Sequence, residues 1–225
     1  MPQAVKIFSK AVGPLFEVSY QDTDGRRDTH SLVMLVRPDL GEPMGISLGR
    51  RTGMIVRPGY RGAIVGYHAL DRTRGGSRHT HGAARAHLAR EVLRQRGDRT
   101  TPALVVGDLN DMYPQSAAAR LIRPLGPLTG LLPIGEPGES RSNAARVGSL
   151  SQRLWAMTGG ESLAVYGEAG FSDADPAHQP TMKFGPVAVQ LDHILARGCE
   201  TAGFSVIPAG GLSDHDMISA RFSFA

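Results

Sequence analysis

Five short runs of β-branched and apolar residues, spread along the whole chain, constrain its fold more than any other feature. Each run has the length and composition of a β-strand and is far too short to cross a membrane as a helix. We predict strands at His30–Arg37, Gly62–His68, Pro102–Gly107, Val189–Ala196 and Met217–Phe224. Helical patterns lie between them, which indicates a mixed α and β protein.

The clearest helical pattern runs from Gly82 to Arg96, where apolar residues recur four apart and Gly97 follows as a stop signal. A strand, this helix and a buried strand would form a crossover unit, but the same order occurs where helices cover two packed sheets. We also predict a helix from Ser116 to Ile122 capped by Ser116, a helix from Leu150 to Met157 ended by Gly159 and Gly160, and a loop from Pro124 to Val147.

Length and composition suit one globular domain, since the chain has 225 residues, of which 41% are hydrophobic. Met1–Lys10 has no signal-peptide pattern, so the chain as written is expected to be cytoplasmic, with secretion possible if a signal lies upstream. Cys199 is the only cysteine, which excludes an intrachain disulfide and a thiolate zinc site. A net charge of +4 weakly favours a polyanionic partner.

Three polar clusters lie at the ends of predicted strands, where a rigid scaffold can aim side chains at a substrate. They are GDLN at 107–110, LDHIL at 191–195 and LSDHD at 212–216. Asp108 and Asn110 are two residues apart and therefore point to the same side. Taken alone, such a cluster is also an ordinary strand-to-turn ending.

Asp192 lies inside an otherwise apolar strand, which is a costly place for a charge unless it is paired. Asp214 and His215 are adjacent, so one can face a metal while the other faces a neighbour. We therefore predict that His215 is the partner of Asp192. A structural ion pair is the simpler alternative for Asp192.

His68 ends another predicted strand, and a loop rich in glycine and arginine follows it at Asp71–His81. Arginine forks and backbone amides in such a loop can hold phosphate oxygens. Without this context, a hydrogen-bonded core or surface histidine is the simpler explanation of His68.

Read in order, five segments resemble the endonuclease/exonuclease/phosphatase superfamily of DNase I-like proteins. They are HALD at 68–71, LVVGDLN at 104–110, the Pro180-Thr181 pair, LDHIL, and LSDHDMISARF at 212–222. Identity, order and strand context agree over most of the chain from His68 onward. Upstream, VSYQDTDGRRDTHSLVMLVR at 18–37, RRTGMIV and AIVGYHALDRTRGG resemble the branch of the cytolethal distending toxin B subunits.

The resemblance implies an α+β fold, namely a four-layer α/β/β/α sandwich of two mainly antiparallel sheets. It also implies catalytic roles. His215, oriented by Asp192, would be the general base, and His68 would stabilise or protonate at the scissile phosphate. Asp108 and Asn110 would orient the nucleophile and the phosphate.

A divalent cation, Mg²⁺ or alternatively Mn²⁺ or Ca²⁺, is the implied cofactor, with Asp214 and Asp108 as ligands. The implied phosphate-binding residues are Asn110, Arg27, Arg51, Arg72 and Arg74.

The family pattern begins with a strand carrying asparagine and then a strand carrying a Gln-Glu pair, and neither has a match before Arg27. Residues 1–225 are therefore interpreted as a single domain that lacks its first strands. Glu17 is the nearest acidic candidate, but it lacks the preceding apolar strand and glutamine and is not assigned as a ligand. Where the family pairs its first catalytic histidine with glutamate, this chain has His30 or Ser31, so His68 is expected to lack its usual partner.

These features predict a metal-dependent phosphodiesterase, most simply a monomeric DNase I-like endonuclease acting on DNA. A phosphoinositide phosphatase or lipid phosphodiesterase on the same fold is the first alternative, because the catalytic cluster recognises only the phosphate. The second is an inactive remnant that binds nucleic acid without cutting it.

Overall fold

The computed structural model of the chain describes residues 17–21, 32–48, 51–59, 62–69, 78–97, 100–125, 154–184 and 187–224. Its strands are β1 Glu17–Gln21, β2 Leu32–Val36, β3 Met44–Ser47, β4 Thr52–Val56, β5 Ala63–Tyr67, β6 Ala103–Asp108, β7 Ser172–Asp173, β8 Met182–Phe184, β9 Val187–Val189, β10 Asp192–Arg197, β11 Glu200–Ile207 and β12 Met217–Ser223. Its α-helices are α1 Arg78–Arg96, α2 Ala117–Ile122 and α3 Glu161–Glu168, and short 3-10 helices lie at Pro38–Leu40 and Arg123–Leu125.

Six of these strands form one sheet in the order β3-β4-β5-β6-β10-β7. Only β5 and β6 are parallel in it, and α1 connects them along the chain, so the crossover unit considered above is present within a mainly antiparallel sheet. The other described strands pair as β1-β2, β8-β9 and β11-β12.

Helices α1 and α3 cover one face of the six-stranded sheet. Buried residues of α1 and α3, including Leu88 and Leu163, form a continuous apolar cluster with Val65, Val105 and Leu195 of the sheet. The β1-β2 hairpin lies on the opposite face, since a Cβ atom on Gly66 would be 3.0 Å from the terminal methyl of Met34. Helix α2 belongs to a second, smaller cluster with β9.

The β11-β12 hairpin is the least covered part of the described fold. Its inward-facing side chains, such as Phe204, Ile218 and Phe222, are only half-buried, and its outward face exposes Ile207 and Met217. Strand β12 contacts β10, and this contact carries the loop with His215 towards the main sheet.

Four of the predicted strands are confirmed as β2, β5, β6 and β12. The fifth, predicted over Val189–Ala196, is confirmed as β10 only from Asp192 onward, because Val189 ends β9 and residues 190 and 191 lie between the two strands. The helix over Gly82–Arg96 is confirmed within α1, and Ser116 caps α2 by accepting a hydrogen bond from the Ala119 amide at 3.2 Å.

The third predicted helix, Leu150–Met157, is tested only over residues 154–157, because residues 150–153 lie outside the described ranges. Residues 154–156 are helical, and this helix ends before Gly159 and Gly160, as predicted. A further helix, α3, was not predicted and begins directly after Gly160, which adopts a left-handed conformation (φ 69°). Within the described residues, no helix is both long and apolar enough to span a membrane.

Candidate active site

The polar clusters meet at one edge of the six-stranded sheet. Asp108 at the end of β6 and Asp192 at the start of β10 are direct partners in the antiparallel register. A Cβ atom on Gly107 would lie 1.9 Å from the Tyr67 carbonyl oxygen, so β6 passes the end of β5 this closely only because glycine is present. This approach places Asp108 beside His68.

Asp108, Asn110 and His68 form a connected group. The Nε2 atom of His68 lies 3.1 Å from Oδ2 of Asp108 and 3.2 Å from Nδ2 of Asn110. Asn110 also donates from Nδ2 to the Ala69 carbonyl (3.1 Å) and from its backbone to Oδ1 of Asp108 (2.9 Å). Asp108 is thus one partner of His68, through Nε2. His30 and Ser31, at the position of the family's glutamate, lie outside the described residues.

The predicted contact between His215 and Asp192 is present. Nδ1 of His215 lies 2.7 Å from Oδ2 of Asp192, and both side chains are partly buried. The hydrogen bond to Asp192, with the charges of Asp192, Asp108 and Asp214, outweighs burial and raises the pKa of His215 to about 9. Nδ1 donates to the carboxylate, which leaves Nε2 as the atom that can exchange a proton with a substrate or water.

Thr181 links the two segments that carry Asp192 and His215. Its buried Oγ1 accepts hydrogen bonds from the backbone amides of Leu191 (3.1 Å) and Asp192 (3.2 Å). Its carbonyl oxygen accepts one from the Asp216 amide (2.7 Å), next to His215. The Pro180-Thr181 segment therefore joins the strand carrying Asp192 to the loop carrying His215.

We predict that Thr181→Val lowers the free energy of unfolding by about 1–3 kcal/mol, because two buried amides lose their acceptor in a side chain of nearly the same shape. Urea denaturation followed by circular dichroism measures the change. Thr181→Ser keeps the hydroxyl and is the matched control, with a smaller expected loss. Equal stability of the valine variant and the unmodified chain would contradict the role assigned to this hydroxyl.

A second polar network, which the sequence analysis did not assign, lies on the helix-covered face. Asp111 is fully buried and accepts from the Gly160 amide (2.9 Å) and from the amide and hydroxyl of Ser162 (both 2.8 Å). The fully buried Arg85 lies 3.5 Å from Asp111 and 3.7 Å from Glu161. His193, in the LDHIL segment, joins the same network. Burying a polar side chain in an apolar strand has a free-energy cost, and this cost was the reason for predicting a partner for Asp192. The same cost applies to His193, so the sequence could have indicated that His193 also has a buried partner.

The site offers oxygen ligands, the type of ligand that a hard divalent cation binds. Asp108 and Asp214 supply carboxylate oxygens, and the charge of each acts on His215, so both lie close to that residue. No three His, Cys, Asp or Glu side chains of the described ranges come together as a metal site, however. Such a cation would neutralise charge on the phosphate, and Asp108 and Asp214 are the residues that would hold it.

The predicted phosphate-binding arginines are only partly within the described residues. Arg51 immediately precedes β4, whose Gly53 pairs with Tyr67, so Arg51 lies at the sheet edge that carries His68. Arg27, Arg72 and Arg74 fall outside the described ranges.

Solved structures with a similar fold include TDP2 from D. rerio complexed with single strand DNA product, at 14% identity over 99% of this chain and 83% of that chain, with a TM-score of 0.58. Another is the mannosyl-6-phosphatase of Bacteroides thetaiotaomicron, at 13% identity over 98% and 81% of the two chains, with a TM-score of 0.56. No curated protein matches the sequence. These likenesses show that the mixed α+β fold is DNase I-like, as the motifs implied.

The family comparison agrees with the site geometry. The model of the endonuclease/exonuclease/phosphatase family matches residues 10–215, a range that contains His68, the Asp108–Asn110 pair, Asp192 and His215. Members of this family are phosphoesterases and nucleases. With nearly the whole chain matched and the motif residues gathered at one sheet edge, this chain belongs to the endonuclease/exonuclease/phosphatase family.

Proposed function

We propose that this protein is a divalent-metal-dependent phosphodiesterase that cuts nucleic acid, in the manner of a DNase I-like endonuclease. The observation that carries the proposal is the hydrogen-bonded His215–Asp192 pair, with a 2.7 Å contact, beside the Asp108–Asn110–His68 group. A base held by an orienting carboxylate, next to amide and imidazole groups that can contact a phosphate, is the arrangement that hydrolysis of a phosphodiester requires.

The proposed hydrolysis uses these groups in turn. Nε2 of His215 takes a proton from water, whose oxygen forms a bond to phosphorus, and the bond from phosphorus to the leaving oxygen breaks. His68 gives a proton to that leaving oxygen, so one water is consumed and a phosphate monoester and an alcohol are formed. Asn110 and Asp108 orient the phosphate and the water. A cation held by Asp108 and Asp214 would supply stabilisation of the charge that develops on the phosphate oxygens.

His215 must be neutral when it accepts a proton, and its raised pKa works against this. The hydrogen bond and the charge of Asp192 cause most of the rise, and Asp108 and Asp214 add smaller parts, so neutralising the charge of these two carboxylates would lower the pKa of His215 only in part. The general-base role therefore requires a pH at which a fraction of His215 is neutral.

Charge favours nucleic acid as the substrate. The sequence pI is about 9.6, and the 25 basic residues outnumber the 21 acidic ones, which supports attraction to a polyanion. The upstream resemblance to the toxin B subunits and the single strand DNA product bound to the similar TDP2 structure support the same choice.

A phosphatase acting on a small phosphate monoester is the second candidate. The structural likeness to a mannosyl-6-phosphatase favours it, because the same site can serve a monoester when the surrounding loops change.

Incubation of purified residues 1–225 with supercoiled plasmid tests the proposal. We expect slow nicking that needs Mg²⁺, stops with EDTA and is lost in His215→Ala. A parallel assay follows the release of inorganic phosphate from sugar phosphates and phosphoinositides. Phosphate release without nicking would replace the nuclease by the phosphatase, and DNA binding that ignores both Mg²⁺ and EDTA, without cleavage, would identify a binding remnant.

A further inference from the structure

His193 follows Asp192 on β10, so its side chain points to the opposite, helix-covered face of the sheet. It is fully buried. Its Nδ1 lies 2.8 Å from Oδ2 of Asp173, and its Nε2 lies 2.9 Å from the carbonyl oxygen of Asp111. A backbone carbonyl and an ionised carboxylate accept hydrogen bonds and cannot donate them, so with Asp173 ionised both ring nitrogens must carry hydrogen for both contacts to form.

The surroundings of His193 favour this doubly protonated ring. Burial alone would lower the pKa of His193, but its hydrogen bond to Asp173 and the charge of Asp173 raise it overall. Asp173 is itself buried and also accepts from the Asp175 amide (2.9 Å) and from Tyr113. The pair is therefore an internal ion pair with its hydrogen-bonding capacity largely used.

The Asp111 contact matters because of the residue that precedes it. Asn110 has a positive φ of 49°, a left-handed conformation that is uncommon outside glycine although asparagine adopts it more readily than most residues. The side chain of Asp111 is fixed by Gly160 and Ser162, and its carbonyl oxygen is fixed by His193. Asp111, the residue that follows Asn110, is thus fixed both at its side chain and at its carbonyl group.

We propose that His193 is a positioning residue, whose Nε2 hydrogen bond to the Asp111 carbonyl keeps Asn110 directed at the phosphate. The Nδ1 contact with Asp173 joins β10 to the segment at β7 and contributes to folding rather than to the aim of Asn110. This assignment rests on the proposed hydrolysis, because it gives His193 a part in the same site. It differs from a purely structural role in predicting that the two ring nitrogens have separable effects.

Two substitutions separate them. The amide of His193→Gln can replace Nε2 and keep a donor for Asp111, whereas the shorter amide of His193→Asn can replace Nδ1 and keep a donor for Asp173. We expect His193→Asn to lower kcat on the order of 10- to 100-fold with KM nearly unchanged, as for a misplaced catalytic group. His193→Gln should retain kcat within about 3-fold, a change of less than 1 kcal/mol in the barrier.

The folded fraction of each variant is measured by thermal unfolding, because each leaves one buried acceptor without its partner. A merely structural histidine would lower both activities in proportion to the folded fraction. Parallel losses in the two variants, after that correction, would overturn the proposal.

A measurement that needs no turnover keeps the test independent of the proposed function. In the ¹⁵N-labelled full chain, two-bond ¹H–¹⁵N correlation spectra should show both nitrogens of His193 protonated at neutral pH. The side-chain amide signal of Asn110 should shift in His193→Asn and stay in place in His193→Gln. A neutral His193 ring, or an unmoved Asn110 signal in His193→Asn, would refute the positioning role. No turnover on any phosphate ester, with both spectral results as expected, would refute the proposed function alone.

Discussion

Replacing His215 with alanine is expected to lower kcat on a phosphodiester by about 10²- to 10⁴-fold, the usual contribution of a general base. Its side-chain hydrogen bond goes to Asp192 at 2.7 Å, and the charges of Asp108 and Asp214 act on it. Because the base acts on water in the transition state, KM for the nucleic acid should change little. Plasmid nicking at saturating Mg²⁺ and varied substrate measures both constants.

Asp192 is expected to act as one unit with His215. Its hydrogen bond fixes the ring orientation, so the Asp192→Ala variant should lose activity of similar size, and the double variant should be no worse than His215→Ala. Additive losses in free energy would show that the two residues act separately. His87→Ala, which changes an exposed histidine of α1, is the matched control and should leave activity unchanged. Full activity in His215→Ala would remove the mechanism altogether.

The contact between Asp192 and His215 was predictable from the free-energy cost of burying a charged side chain. A charged side chain inside an apolar strand needs a partner, and the only adjacent Asp-His pair after β10 supplied it. The same cost applied to His193, but one of its two partners is a backbone carbonyl, that of Asp111, 82 residues away. Nothing in local sequence marks a backbone carbonyl as an acceptor, so this network required the structure.

Helix α3 and the shortest strands were missed for other reasons. Helix α3 starts from a left-handed Gly160 whose amide is held by the distant Asp111, so a tertiary contact allows a helix to begin at a residue that locally signals a helix end. Strand β7 has two residues and β8 and β9 have three each, which is too short for a periodic pattern to be recognised. Strands β1, β3, β4 and β11 were also not predicted, although they have four to eight residues. Strands β5 and β6 were predicted correctly because local pattern and tertiary environment agree there.

Residues 1–225 are expected to bind Mg²⁺ weakly, with a Kd in the millimolar range or weaker, and to turn over slowly. The glutamate that the family pattern provides has no match before Arg27, and the described residues offer Asp108 and Asp214 without a third acidic or histidine ligand in place. Mg²⁺ is held by few carboxylates and keeps several waters, so the loss of one charged ligand removes much of the binding free energy. Isothermal titration calorimetry with MgCl₂ measures the affinity.

Asp214→Asn tests the assigned ligand, because it keeps the shape of an exposed side chain and removes its charge. This variant should abolish the remaining weak Mg²⁺ binding. Asp216→Asn, two residues away, is the matched control and should leave the binding unchanged. Tight binding together with fast, EDTA-sensitive cleavage would contradict the prediction and mean that another residue replaces the family glutamate. Glu17 would then be the first residue to change. It is the first residue of β1, where it pairs with Val36 of β2, and it precedes every motif of the site in the sequence. Loss of tight binding in Glu17→Gln would identify it as that ligand.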